Sequence, residues 1–85
     1  MGGIVMDVVQ ATKERIYELC GQRGITPNAL SYLCGISQST IKSILNNETK
    51  SPKVITIKKL CDGLEITLAQ FFDTEVFNHL EQEIK

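Results

Sequence analysis

Long apolar runs are missing from this chain of 85 residues. The longest span only a few positions, far short of the roughly 20 residues that a membrane-spanning helix requires, so no membrane partner is expected. The stretch from Met1 to Met6 has neither a basic region nor a sustained apolar one, so no secretory or transit signal is expected and the expected compartment is the cytoplasm. Histidine is nearly missing, with His79 alone near the C-terminus and expected at the surface. A nucleophilic triad cannot be assembled around one terminal histidine, and no phosphate-cradling loop is present, which argues against an enzyme. Metal-ligand spacing is absent too, and no cofactor is expected. The three cysteines, Cys20, Cys34 and Cys61, are odd in number and far apart, which excludes a disulfide framework and marks them as ordinary core residues. Internal repeats, low-complexity tracts and long linkers are also wanting, so residues 1–85 are expected to form one domain with one modest core.

An excess of positive charge is the last thing missing. The net charge is −1, a mild argument against nucleic-acid binding, because proteins that neutralise phosphates are usually basic. Its distribution matters more than its total. Residues 1–35 are neutral overall, residues 36–59 carry +4 from Lys42, Lys50, Lys53, Lys58 and Lys59 against Glu48, and residues 60–85 carry −5. Such a chain can still present one basic face, since charges are felt strongly only within a Debye length of roughly 8 Å at physiological salt.

What is present is helical periodicity with clear stops and starts. Asp7 followed by Gln10 resembles a capping box, and Val9, Ile16, Leu19 and Cys20 lie on one stripe of a first helix ending around Gly21 to Gly24. Thr26-Pro27 reads as an N-cap and a first-turn proline opening a second helix to about Cys34, with Ala29, Leu30, Leu33 and Cys34 inward. Gly35 supplies the left-handed backbone that ends it. Ser37 then caps a third helix at once, so the connection is a sharp turn. Ile41, Ile44 and Leu45 must face the core, which turns Gln38, Ser39, Lys42, Ser43 and Asn46 toward solvent. Asn46 and Asn47 stop this helix, and residues 48–52 read as a loop. Val54, Ile57, Leu60, Cys61 and Leu64 hold helical spacing through a fourth helix, and Thr67-Leu-Ala-Gln70 is a capping box opening a short fifth with Leu68, Phe71 and Phe72. Val76, Phe77, Leu80 and Ile84 form one stripe on a sixth helix expected from about Thr74 to the end. Tyr17 and Tyr32 are expected as partly buried packing residues.

These residues together carry a resemblance. Arg15-Ile16-x-x-Leu19, Gly24-Ile25-Thr26, Leu30, Gly35-Ile36-Ser37-Gln38-Ser39-Thr40-Ile41, Asn46, Pro52 and Leu64-x-Ile66-x-Leu68 with Phe71-Phe72 stand in the order and spacing of one motif. Over roughly Arg15 to Phe72 the chain resembles the Cro/phage-repressor-like helix-turn-helix family, often called the XRE family. The resemblance implies an all-α, lambda-repressor-like bundle of five helices, here with a sixth as a C-terminal extension over about 74–85, and a helix-turn-helix motif over 26–46. It further implies double-stranded DNA as partner, with base reading by Gln38, Ser39, Lys42 and Ser43 and phosphate contacts from Thr26, Asn28, Asn46, Lys50 and Lys53. Gln38 is the strongest candidate, because its amide can pair with adenine N6 and N7 together.

The departures from the family pattern also carry expectations. Pro27 stands where many relatives have a phosphate-touching glutamine, which shifts that contact to Asn28. Asn47 and Glu48 replace a frequent glycine and a common basic residue. Cys20 and Leu45 occupy positions where relatives often place an arginine–glutamate ion pair, so an apolar contact is expected instead. The function implied is a sequence-specific transcriptional regulator, a repressor, acting as a homodimer. The alternative is a protein-interaction module, such as an antitoxin or a partner-dependent regulator, that binds a protein through the acidic C-terminal segment.

Overall fold

A computed structural model describes residues 6–48 and 51–84. Among the described residues all regular structure is helical: α1 Val8–Arg23, α2 Pro27–Cys34, α3 Gln38–Leu45, α4 Val54–Leu64, α5 Leu68–Phe72 and α6 Glu75–Asn78. The all-α class expected from the periodicity is the observed one.

One local device is used three times. The chain leaves α1, α2 and α4 through a left-handed residue, at Gly24 (φ 64°), Gly35 (φ 65°) and Glu65 (φ 58°). An isoleucine follows each, and its amide reaches back to the helix it has just left: Ile25 to the Cys20 carbonyl, Ile36 to Ser31 and Ile66 to Cys61. All three isoleucines pack partly buried against the core, the hydrophobic contact that accompanies this kind of helix end. Thr26, Ser37 and Thr67 come next, and each side chain accepts the amide three residues on, which starts the following helix. Left-handed residue, buried isoleucine and hydroxyl cap thus make each corner in three positions, and they set the α2–α3 angle without a long loop.

The core draws on five helices: Ile16, Leu19 and Cys20 of α1, Leu30 and Cys34 of α2, Ile41 and Ile44 of α3, Ile57, Leu60, Cys61 and Leu64 of α4, and Phe71 of α5. All three cysteines are buried and unpaired. Burial pushes the Cys34 thiol up to about 11, so it remains a neutral thiol at physiological pH, and its Sγ donates to the Leu60 carbonyl at 3.6 Å. Two arginines of α1 tie down the ends of other helices. Arg15 donates to the carbonyls of Phe71 (2.7 Å) and Gln70 (2.8 Å) at the end of α5, and Arg23 donates to that of Leu64 at the end of α4. Both place positive charge where unsatisfied carbonyls gather.

Several expectations are corrected. Leu33 is 56% exposed and Ser31 takes the inward place, because Leu30, Ser31 and Cys34 define the buried arc and Leu33 lies roughly 100° round from its centre. Val54 projects into solvent from the first position of α4, ahead of the buried Ile57. Tyr17 and Tyr32 are exposed, at 48% and 78%. Gln10 completes no capping box at α1: Asp7 accepts its amide at 2.8 Å, but its side chain turns to Glu14. The sixth helix is one turn rather than a run from Thr74 to the end. No side chain caps it, Phe77 anchors it through edge contacts with Phe72 (ring centroids 4.9 Å apart), and the Glu81 amide leaves the helical path to meet the Met6 carbonyl at 2.9 Å. A single uncapped turn lacks the length to propagate alone, and Ile84 lies in solvent.

Cys20 is a core residue and Leu45 packs half-buried against the same core, so the two positions where the resemblance would place an ion pair are apolar in place as well as in kind. Leu45→Glu is therefore expected to cost about 2 kcal/mol, since a carboxylate would enter an apolar margin with a cysteine rather than an arginine at position 20. In thermal unfolding that is a fall on the order of 10 °C. An unchanged midpoint would refute the apolar exchange.

Candidate nucleic-acid interface

The outward face of α3 follows from what holds its inward face. Ser37 accepts the Thr40 amide at 3.2 Å, while Ile41 and Ile44 are buried at 3% and 2% exposure. With that side fixed in the core, Gln38, Ser39, Lys42 and Asn46 are all exposed. The helix is eight residues long, and a helix about 10–12 Å across with its side chains suits the roughly 12 Å width of the DNA major groove.

These side chains do not stand on a flat face. Gln38, Ser39, Lys42 and Asn46 line an open cleft of about 520 Å³ together with Asn28 of α2, walled by Tyr17, Pro27, Ile41 and Leu45. Five of the nine sequence-derived candidates are thus gathered in one concavity. Asn28 sits in the first turn of α2, where the amides of an uncompleted helix turn and the positive end of the dipole favour an anion. Pro27 has no amide to offer there.

The remaining four candidates are placed differently. Thr26 is exposed, but its hydroxyl is engaged in accepting the Ala29 amide at 3.2 Å, so it shapes the helix start. Ser43 is half-buried and its hydroxyl donates to Glu48 at 3.4 Å, which puts a carboxylate beside it and leaves it less available than its neighbours. Lys53 is exposed at the N-cap of α4. Lys50 lies outside the described residues. Among the described residues neither Lys42 nor Lys53 is held in an ion pair, whereas Lys58 is paired with Asp62.

A domain with this order of helices, a tight α2–α3 corner and a polar outward α3 has the geometry of a helix-turn-helix unit. The family model of the Cro/C1-type helix-turn-helix DNA-binding domain matches residues 15–76. The chain belongs to this family. A crystal structure of the prophage Lp1 protein 11 is similar at 30% sequence identity, with a TM-score of 0.78, covering 89% of this chain and 100% of that one. Comparison with curated proteins gave no match. As a Cro/C1-type domain, the chain is a DNA-binding regulator by family, and no helix among the described residues is long and apolar enough to cross a membrane.

Two residues beyond the nine candidates meet this cleft or its side chains. Tyr17 walls the cleft, and Tyr32 accepts a hydrogen bond from the Gln38 side chain. Periodicity held the signal for Tyr32: it lies two residues, about 200° of helix, from buried Leu30, and so on the opposite side of α2.

Proposed function

We propose that this chain is a sequence-specific repressor of transcription that inserts α3 into the major groove and occludes a promoter. Gln38 and Ser39 read base edges, Lys42 reaches a base or a phosphate, and Ser43 contributes less because Glu48 engages it. Asn28, Asn46 and Lys53 hold the flanking backbone, with Thr26 forming the helix start beside Asn28. The observation that supports this most is the gathering of Asn28, Gln38, Ser39, Lys42 and Asn46 in one cleft on the solvent side of a helix fixed by Ser37, Ile41 and Ile44. The protein acts in the cytoplasm as a homodimer, on a two-fold operator with half-sites about 34 Å apart.

Two substitutions separate the roles. Gln38→Ala should relax preference at one base position by about 1 to 3 kcal/mol. Lys53→Ala should weaken binding to every sequence alike and reduce the salt slope by about one. Titrations of operator and single-base variants at several salt concentrations measure both, and equal losses on all sequences for both mutants would contradict the division of labour.

A further inference from the structure

We infer that Tyr32 is a positioning residue for base recognition: its hydroxyl holds the Gln38 carboxamide in the orientation that reads a base. The inference rests on the assignment of α3 as the reading helix. Gln38 Nε2 donates to Tyr32 Oη at 3.1 Å, across the Gly35 corner and six residues apart in sequence. Tyr32 is 78% exposed and packs into no core, so burial does not account for its presence on this side of α2.

The chemistry of the pair is what assigns the role. A glutamine amide has two donor hydrogens and one acceptor oxygen. The bond to Tyr32 uses one hydrogen and leaves the other hydrogen and the oxygen, which are the two groups that pair with adenine N7 and N6. A free glutamine side chain must lose its rotamer freedom when it meets a base, and its amide can turn either way round. Held by Tyr32, it meets the duplex with its torsions already restricted and with one N–H and the oxygen left for the base. That is preorganisation of a recognising side chain by a supporting one. The phenol is rigid beyond two torsions, which makes it a firm support even at an exposed site.

Tyr32→Phe removes the hydroxyl and keeps the ring, and at so exposed a position it leaves the core untouched. Full-length wild type, Tyr32→Phe, Gln38→Ala and the double mutant are titrated against the selected operator, its single-base variants and unrelated duplex. The expected result is a loss of about fivefold in discrimination for Tyr32→Phe, the size of one net hydrogen bond, at the same base pair that Gln38→Ala relaxes. Affinity for unrelated duplex, salt slope and unfolding midpoint stay at wild-type values, and adding Tyr32→Phe to Gln38→Ala changes nothing more. Full discrimination in Tyr32→Phe beside a relaxed Gln38→Ala, or additive losses in the double mutant, would overturn the role of Tyr32 and leave α3 as the reading helix. A wild-type chain that discriminates no sequence would overturn both.

Discussion

Gly63→Ala is expected to destabilise the protein by about 2 to 3 kcal/mol, although helix propensity alone favours alanine over glycine in a helix interior by about 1 kcal/mol. The sign is decided by space. A Cβ built on Gly63 would lie 2.4 Å from Cys34 Sγ, 2.9 Å from Cys34 Cα and 2.9 Å from the Leu33 carbonyl oxygen. Two of these are backbone atoms of α2 and cannot rotate away, so α4 must move off α2 or the substitution fails. Glycine at this point is therefore a packing requirement, and its propensity cost is offset by close approach of the two helices. The Cys34 to Leu60 contact lies in the same interface and opens with it. Because α2 carries the corner that sets α3, a shift there should also lower operator affinity in the fraction that remains folded. Urea or thermal unfolding measures the first effect, with a midpoint fall on the order of 10 to 20 °C. A midpoint equal to or above wild type would show that propensity wins and that the α2–α4 contact is looser than described.

Arg15→Met is expected to cost about 3 kcal/mol. The side chain is only 12% exposed, and its guanidinium satisfies two carbonyls at once, Phe71 at 2.7 Å and Gln70 at 2.8 Å, while Nη1 meets Glu18 at 2.5 Å. Hydrogen bonds from charged donors contribute roughly 1.5 to 3 kcal/mol each, and methionine keeps the apolar stem while leaving both carbonyls without the donor. The ion pair to Glu18, half in solvent, adds little. Arg15→Lys should recover less than half of the loss, since an ammonium cannot reproduce the fork that reaches two oxygens in fixed geometry. Chemical denaturation of the three proteins tests this. If lysine restores full stability, charge near the end of α5 matters and the fork does not.

The parts of the fold that could be read in advance are those set by local chemistry. Hydroxyl caps at Thr26, Ser37 and Thr67 and left-handed glycines at Gly24 and Gly35 act through bonds within a few residues, so two corners, the bounds of α2 and α3 and the start of α5 were legible. Glu65 makes the same left-handed turn at φ 58° without a glycine to announce it. What periodicity cannot supply is which partner occupies the other side of a residue. Arg15 stood out as a motif residue, yet its carbonyl partners are 55 and 56 positions away. Helical spacing gives no sign of why Gly63 is a glycine, because its reason lies on α2. The stripe from Val76 to Ile84 has helical spacing, but only its first turn is helical: Phe77 meets Phe71 and Phe72, and the helix ends at Asn78.

The candidate interface divides along the same line. Gln38, Ser39 and Lys42 could be turned outward from the inward positions of Ile41 and Ile44, an argument internal to one helix. The engagement of Ser43 by Glu48 and of Gln38 by Tyr32 crosses a turn, and spacing gave no measure of either. Charge also behaves locally. A chain with net charge −1 keeps Lys42 in the cleft and Lys53 on the surface, while the acidic residues Asp73, Glu75, Glu81 and Glu83 fall in the C-terminal segment beyond α5.

Selection of bound duplexes from a random library at one fixed salt concentration tests most directly whether α3 reads DNA. The expected result is enrichment of a single two-fold sequence with half-site centres about 34 Å apart, and loss of preference at one position of each half-site when the selection is repeated with Gln38→Ala. A library that emerges unenriched with the wild-type protein would contradict it and point instead to a chain whose tight partner is another protein.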